Sequence, residues 1–142
     1  MAVAPYIAKS QCNANTASML LQDPYDSFLD VIPHNAYYGV FQLVKHVLDN
    51  LGLDDNYFKR KYKNTNTSHV NIIHEFNAEL EKLTDYKTAS RFTNRLFVLK
   101  TLRTKADYKV SHIIKKEAKQ SVDLNVELCK EINSHCSKYK LI

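Results

Sequence analysis

HNAYYGVFQLVKHVL, residues 34–48, decides the fold. Tyr37, Phe41, Val44 and Leu48 recur at steps of four, three and four, the spacing that puts side chains on one side of an α-helix. Gly52 follows as a C-terminal stop. Two starts are open for this helix: near Ser27, with Pro33 as a kink, or at Pro33 as a first-turn proline. Upstream, Ile7 to Leu21 has the length of a first helix, which the Asp23-Pro24 pair ends. Downstream, the polar stretch from Asp54 to Thr67, containing KRKYKNTNT, reads as a loop.

After that loop, Ser68 or Thr67 caps a third helix with Val70, Ile73, Asn77, Leu80 and Leu83 along one stripe and Glu75, Glu79 and Glu81 on the remaining surface. Thr84 or Asp85 caps a fourth, striped by Phe92, Leu96, Leu99 and Leu102. Arg91, Arg95 and Arg103 lie on a neighbouring face of it. The last helix runs from about Lys115 to His135. It carries Ala118, Val122, Val126, Cys129, Ile132 and Cys136 on one side, with Leu124 and Leu128 beside them, a stripe wide enough to require burial. Five helices with short connections predict an all-α fold, an antiparallel up-and-down bundle of four to five helices in a single domain over residues 1–142, its core about 7–138.

Composition agrees. The 142 residues are 44% hydrophobic and 25% charged, enough apolar material for one core, and two glycines with three prolines leave long stretches free for helices. Gly39 and Gly52 cannot build the glycine-rich loop of a P-loop or dinucleotide-binding fold, which excludes ATP hydrolysis of that kind. The net charge of +5, from 20 Lys and Arg against 15 Asp and Glu, admits nucleic acid, free nucleotides or acidic proteins as partners. Three cysteines, Cys12, Cys129 and Cys136, make no disulfide framework, and MAVAPYIAKS lacks the blocks of a signal peptide. The expected setting is therefore cytoplasmic and reducing. No apolar run approaches the roughly 20 residues that span a bilayer, so no membrane role is expected.

Two basic groupings bear on function. Arg91 and Arg95, with Lys100, Lys105 and Lys109, make either a stripe that tracks a phosphate backbone or a solvated helix face. Lys59, Arg60, Lys61 and Lys63, interleaved with Tyr57, Phe58 and Tyr62, mix cations and rings as single-strand binders do, or form an ordinary exposed loop. Metal is not expected. His69 and His74 are five apart rather than the four that aligns two ligands on a helix, and Cys129 and Cys136 are separated by two turns. Cys129 reads as a small buried hydrophobe rather than a nucleophile, and His135 beside Cys136 sits near a helix end. No cofactor is implied.

Three segments in register resemble the HEPN (higher eukaryotes and prokaryotes nucleotide-binding) domain family, especially its small stand-alone prokaryotic members. HNAYYGVFQLVKHVL (34–48) is similar to the family's second-helix pattern of a small residue, two tyrosines, a small residue and Phe. LRTKADYKV (102–110) resembles its Arg-x-Lys-Ala-Asp-Tyr segment, and KKEAKQSVDLNVELCKEI (115–132) its closing helix. The resemblance implies a homodimer, often partnered by a small nucleotidyltransferase in a toxin-antitoxin pair, with nucleotide or RNA as ligand. It also implies that Tyr37 and Tyr38 face the bundle centre or the dimer contact. Active members are metal-independent ribonucleases bearing Arg, four to six residues, then His. Arg103 fits the arginine, but after four intervening residues stands Tyr108, and His112 comes only after eight.

An Arg and His pair suits RNA cleavage because the guanidinium stabilises charge growing on phosphorus while the imidazole moves protons near neutral pH. Tyr108, with an ordinary pKa near 10, donates a hydrogen bond but is a poor base. Arg103 and Asp107, four apart, share a helix face. They form either a structural ion pair, with Tyr108 packed on a neighbouring helix, or a phosphate or nucleotide contact with Arg103 as anion ligand. The candidate catalytic residues are thus Arg103, Tyr108 and His112, and the candidate nucleotide or RNA contacts are Arg103, Asp107, Arg95, Arg91 and Lys105. The favoured expectation is a non-catalytic or weakly catalytic HEPN-like module. The alternatives are a metal-independent endoribonuclease toxin with a composite site across a dimer, and a helical adaptor without nucleotide contact.

Overall fold

α2 (Ile32–Asn50) is the axis on which the other helices are laid. Its apolar residues face every direction but one: Ile32, Ala36, Tyr37, Val40, Phe41, Leu43, Val44, Val47 and Leu48 are all buried. The exception is a line of partly open positions, His34, Tyr38, Gln42 and Lys45, ending on exposed Asp49. A helix apolar on most of its circumference must be surrounded. Around it lie α1 (Pro5–Leu21), α5 (Tyr86–Tyr108), α6 (Lys115–Ser137) and, at its side, α4 (His69–Leu83), with short α3 (Asp55–Lys61) between α2 and α4. A single 3-10 turn (Leu29–Val31) leads into α2. The structure is a computed structural model describing residues 4–63, 68–108 and 112–142, and among these it is all-α, with no strand.

Helices α1, α2 and α6 approach one another closely at Gly39. A Cβ placed there would lie 2.5 Å from Asn125 Nδ2 of α6 and 3.4 Å from the backbone of α1 at Ser10 and Ala14. The Ser10 hydroxyl donates to the Gly39 carbonyl, and Asn125 donates to the Ala36 carbonyl at 2.9 Å. These buried polar side chains use the second lone pair of carbonyls already engaged in α2, so neither is left unsatisfied.

Local chemistry sets the ends. Pro33 sits in the first turn of α2, which settles its start at Ile32 rather than near Ser27. Gly52, at φ +82°, lets Leu53 N–H return to the Leu48 carbonyl at 2.8 Å and closes the helix. Ser68 Oγ accepts from Asn71 N–H at 3.2 Å, and Asp85 Oδ1 from Thr88 N–H at 2.7 Å, so Ser68 and Asp85 act as the N-terminal caps. Thr67, the other candidate cap of the third expected helix, and Lys109 lie outside the described residues.

Three expectations are corrected. The described residues hold six helices rather than four to five, because residues 55–61, read as loop, form α3. Asp54 caps it by accepting from Tyr57 N–H at 2.9 Å. Its apolar contact is Phe58, too little for a periodicity to show in seven residues. In α4 the buried residues are Ile72, Ile73, Phe76 and Leu80, while Val70 is exposed, so the stripe is turned toward Phe76, whose ring meets Phe92 of α5 at 5.4 Å. In α6, Val126 is exposed, whereas Ser121, Leu124, Asn125 and Leu128 are buried with Ala118, Ile132 and Cys136. Two polar residues sit in that face because Ser121 and Asn125 each bond a helix carbonyl.

Candidate functional site

Adjacent residues of a helix point about 100° apart, and so the Tyr37-Tyr38 pair divides its work. Tyr37 is fully buried, and Tyr38 stays on the rim, its ring 4.8 Å from His34 one turn earlier. The last two turns of α5 run past this part of α2 and present Arg103 and Asp107, one turn apart on one face. Arg103 Nε lies 2.9 Å from Asp107 Oδ2, and its NH2 donates to the Tyr38 hydroxyl at 3.1 Å. The guanidinium carbon stands 5.8, 5.3 and 5.4 Å from the ring centres of Tyr37, Tyr38 and Tyr108. Three aromatic faces and one carboxylate thus hold a cation whose side chain is only 13% exposed.

Asp107 Oδ2 also receives His34 Nδ1 at 2.9 Å, with the His34 side chain 44% exposed. A carboxylate only accepts, so the hydrogen is on Nδ1, which leaves Nε2 outside this bond. His34 opens the segment that decides the fold, at i−3 and i−4 from the two tyrosines, yet its role was not legible in that pattern. The histidine that joins Arg103 comes from a different helix.

Behind Tyr38 lies His69, in the first turn of α4. Its ring stacks on Phe41 at 4.2 Å and on Tyr37 at 5.6 Å, and its Nδ1 is 2.9 Å from the Tyr37 hydroxyl. Burial, helped by the positive charges of Arg103, Lys100 and Lys45, pushes its pKa down to about 4, so the imidazole is neutral at pH 7. Burial likewise holds the Tyr37 phenol well above its ordinary value, so it stays protonated.

The remaining sequence candidates divide. Arg103, Asp107 and Tyr108 are brought together. His112 is committed elsewhere: its Nδ1 meets Asp30 Oδ2 at 2.8 Å, and Asp30 Oδ1 accepts Ile113 N–H at 2.7 Å, so the segment before α6 is clamped to the 3-10 turn. These two bonds hold the Asp30 carboxyl below its usual range. Arg95 pairs with Glu131 and, at 3.6 Å, with Glu127, pinning α5 to α6. Lys105 donates to both oxygens of Glu117 at 2.9 and 2.8 Å, while Glu117 also accepts Ile114 N–H at 3.1 Å at the start of α6. Arg91 is exposed, and its carbonyl accepts from Arg95 Nε at 3.2 Å.

In the aromatic and basic segment, Glu75 of α4 accepts from the Tyr62 hydroxyl at 3.0 Å and pairs with Lys61, which anchors α3. Lys59, Arg60 and Lys63 stay exposed. Burial pushes the Cys129 and Cys136 thiols up to about 11 each, far from nucleophile behaviour. Among the described residues no group of three His, Cys, Asp or Glu side chains is arranged to hold a metal ion, and no helix is long and apolar enough to cross a membrane.

No family model matches the chain, and neither the curated proteins nor the solved structures searched contain a significant match to it.

Proposed function

We propose that the chain is a HEPN-like helical module, an up-and-down antiparallel bundle that contacts a phosphate of nucleotide or RNA at Arg103. The observation that carries this reading is the tyrosine-walled guanidinium. Arg103 is held by the charge of Asp107 and by the hydrogen bond from NH2 to Tyr38, which leaves further N–H donors of a planar cation for an oxyanion. Tyr108, whose ring borders the guanidinium and is 70% exposed, is a surface on which a base stacks. Asp107 cancels much of the cation's charge, so the contact is modest for one phosphate. In this reading the module works in the cytoplasm as a homodimer, alone or with a nucleotidyltransferase-type partner as in toxin-antitoxin pairs, an assignment that rests on the sequence resemblance.

A second reading, a metal-independent endoribonuclease, is favoured by one contact, His34 on Asp107. An imidazole oriented by a carboxylate beside an arginine has the parts for phosphodiester transfer. His34 Nε2 would take the 2′-hydroxyl proton as that oxygen bonds phosphorus, the bond from phosphorus to O5′ would break, and O5′ would take a proton from water. Arg103 would stabilise the charge on the phosphoryl oxygens.

One experiment tests both. The purified chain is mixed with a labelled single-stranded RNA in excess EDTA, and binding and cleavage are followed for it and for Arg103→Ala, His34→Ala and His112→Ala. Binding lost in Arg103→Ala with no cleavage supports the module. Cleavage lost in Arg103→Ala and His34→Ala but kept in His112→Ala supports the nuclease. RNA binding unchanged in Arg103→Ala removes the module, and cleavage unchanged in it removes the nuclease.

A further inference from the structure

The Tyr37 hydroxyl is buried and protonated, and the acceptor it meets is His69 Nδ1 at 2.9 Å. A phenol O–H is the stronger donor of the two, and an unprotonated imidazole nitrogen the stronger acceptor, so the hydroxyl donates and the ring's own hydrogen is placed on Nε2. That N–H bonds no described residue. Stacking on Phe41 and Tyr37 keeps the ring from turning to find a partner.

Positive charge converges on the same place. Lys100 stands three residues before Arg103, on the same face of α5, and its ammonium forms no ion pair among the described residues. Lys45 stands seven residues after Tyr38 on the open line of α2, its ammonium 3.5 Å from Asp55 and 5.2 Å from the centre of the Tyr6 ring. The charges that act most on His69 are those of Arg103, Lys100 and Lys45, with no carboxylate among them. Asp107, the counter-charge of the Arg103 site, sits against Nε and His34 instead.

We infer that His69 Nε2–H and Lys100 form a second anion subsite beside Arg103, which takes the second phosphate group of a ligand whose first phosphate rests on Arg103. It deepens the phosphate-contact reading and rests on it. The ligand class is therefore a diphosphorylated nucleotide unit. Such a unit is either a nucleoside diphosphate or two successive phosphates of an RNA strand.

Calorimetric titration of the full chain with adenosine monophosphate, adenosine diphosphate and 5′-phosphorylated diadenylate separates these sources. A second charge-assisted contact is expected to tighten one of the two larger ligands about tenfold over the monophosphate. Lys100→Gln should abolish that gain and leave the monophosphate within about twofold, since its phosphate does not reach Lys100. Lys59→Gln, which removes the same charge from exposed α3, should preserve the gain. His69→Phe, which keeps an aromatic ring but has no N–H to donate, should reduce it.

A gain seen only with the diphosphate identifies the nucleoside diphosphate, and a gain only with diadenylate identifies RNA. Equal affinity for all three ligands overturns the subsite and leaves the Arg103 contact standing. So does an equal loss for all three in Lys100→Gln, or a gain lost equally in Lys59→Gln. Absence of binding by every ligand overturns the Arg103 contact together with the subsite.

Discussion

Asp107 on α5 holds His34 on α2 through a single oxygen, Oδ2 to Nδ1 at 2.9 Å, across 73 positions of sequence. The same oxygen lies 2.9 Å from Arg103 Nε. One carboxylate therefore sets the orientation of both the cation and the imidazole, and its removal acts in opposite directions on binding and on chemistry.

Asp107→Asn is expected to strengthen phosphate binding severalfold, because a negative charge next to the guanidinium disappears. If His34 is a base, the same change should slow RNA cleavage about tenfold or more, since the amide no longer holds Nδ1 in its donor role. Binding isotherms and cleavage rates on one preparation read both signs.

Gly39→Ala tests the close approach of α1, α2 and α6. Alanine favours a helix interior by about 1 kcal/mol. Its methyl would sit 2.5 Å from Asn125 Nδ2, forcing that amide off the Ala36 carbonyl. A lost buried hydrogen bond costs about 1–3 kcal/mol, so after the gain from alanine urea unfolding should show a net loss of up to about 2 kcal/mol. In an Asn125→Ala background, where that clash is gone, the same substitution should be neutral to stabilising by up to about 1 kcal/mol.

Stability should depend on pH through His69. Its folded pKa of about 4 lies below the ordinary 6.5, first through burial and then through Arg103, Lys100 and Lys45. Above pH 6.5 both states are neutral and the full contribution is present. As pH falls through 6.5 toward 4, the unfolded chain takes a proton that the folded chain refuses, and up to about 2–3 kcal/mol is lost. Below about pH 4 this loss levels off. Denaturant midpoints between pH 7.5 and 4.5 should fall for the natural chain and stay flatter for His69→Gln.

Arg95→Ala and Lys105→Ala separate structural cations from ligand-binding ones. Arg95 meets two glutamates of α6, and its side chain is 26% exposed, so its loss should cost about 1–2 kcal/mol. Lys105, 33% exposed against Glu117, should cost about 0.5–1 kcal/mol. RNA binding of either variant, measured at a temperature where it is folded, should stay within about twofold of the natural chain. Arg103→Ala should lose most of it.

Long helices were readable because one repeated property, apolarity every three to four residues, recurs over several turns. Phe92, Leu96, Leu99 and Leu102 stand where their spacing puts them, all buried. Short α3 was not, since seven residues contain too few repeats, although the Asp54 cap was a usable signal. The α6 stripe was misdirected by Val126. Its polar neighbours Ser121 and Asn125 have a reason to be inside only once the carbonyls of Glu117 and Ala36 are beside them.

At the candidate site, the Arg103–Asp107 pair was legible because four residues along a helix is a fixed distance. His112 looked closer to Arg103 in sequence than His34, yet its partner is Asp30, and His34 is the imidazole that reaches the arginine's carboxylate. The amino-acid order by itself determined the all-α class, the long helices and the pairing of residues within a turn, because these depend on the local period of the backbone. Which imidazole meets the Asp107 carboxylate beside Arg103, and which basic side chains are consumed by Glu117, Glu127 and Glu131, were decided only when α2, α5 and α6 packed. Contacts between helices depend on the relative rotation of whole elements, which is set by the volume and polarity of every side chain between them and which no spacing within a single segment records.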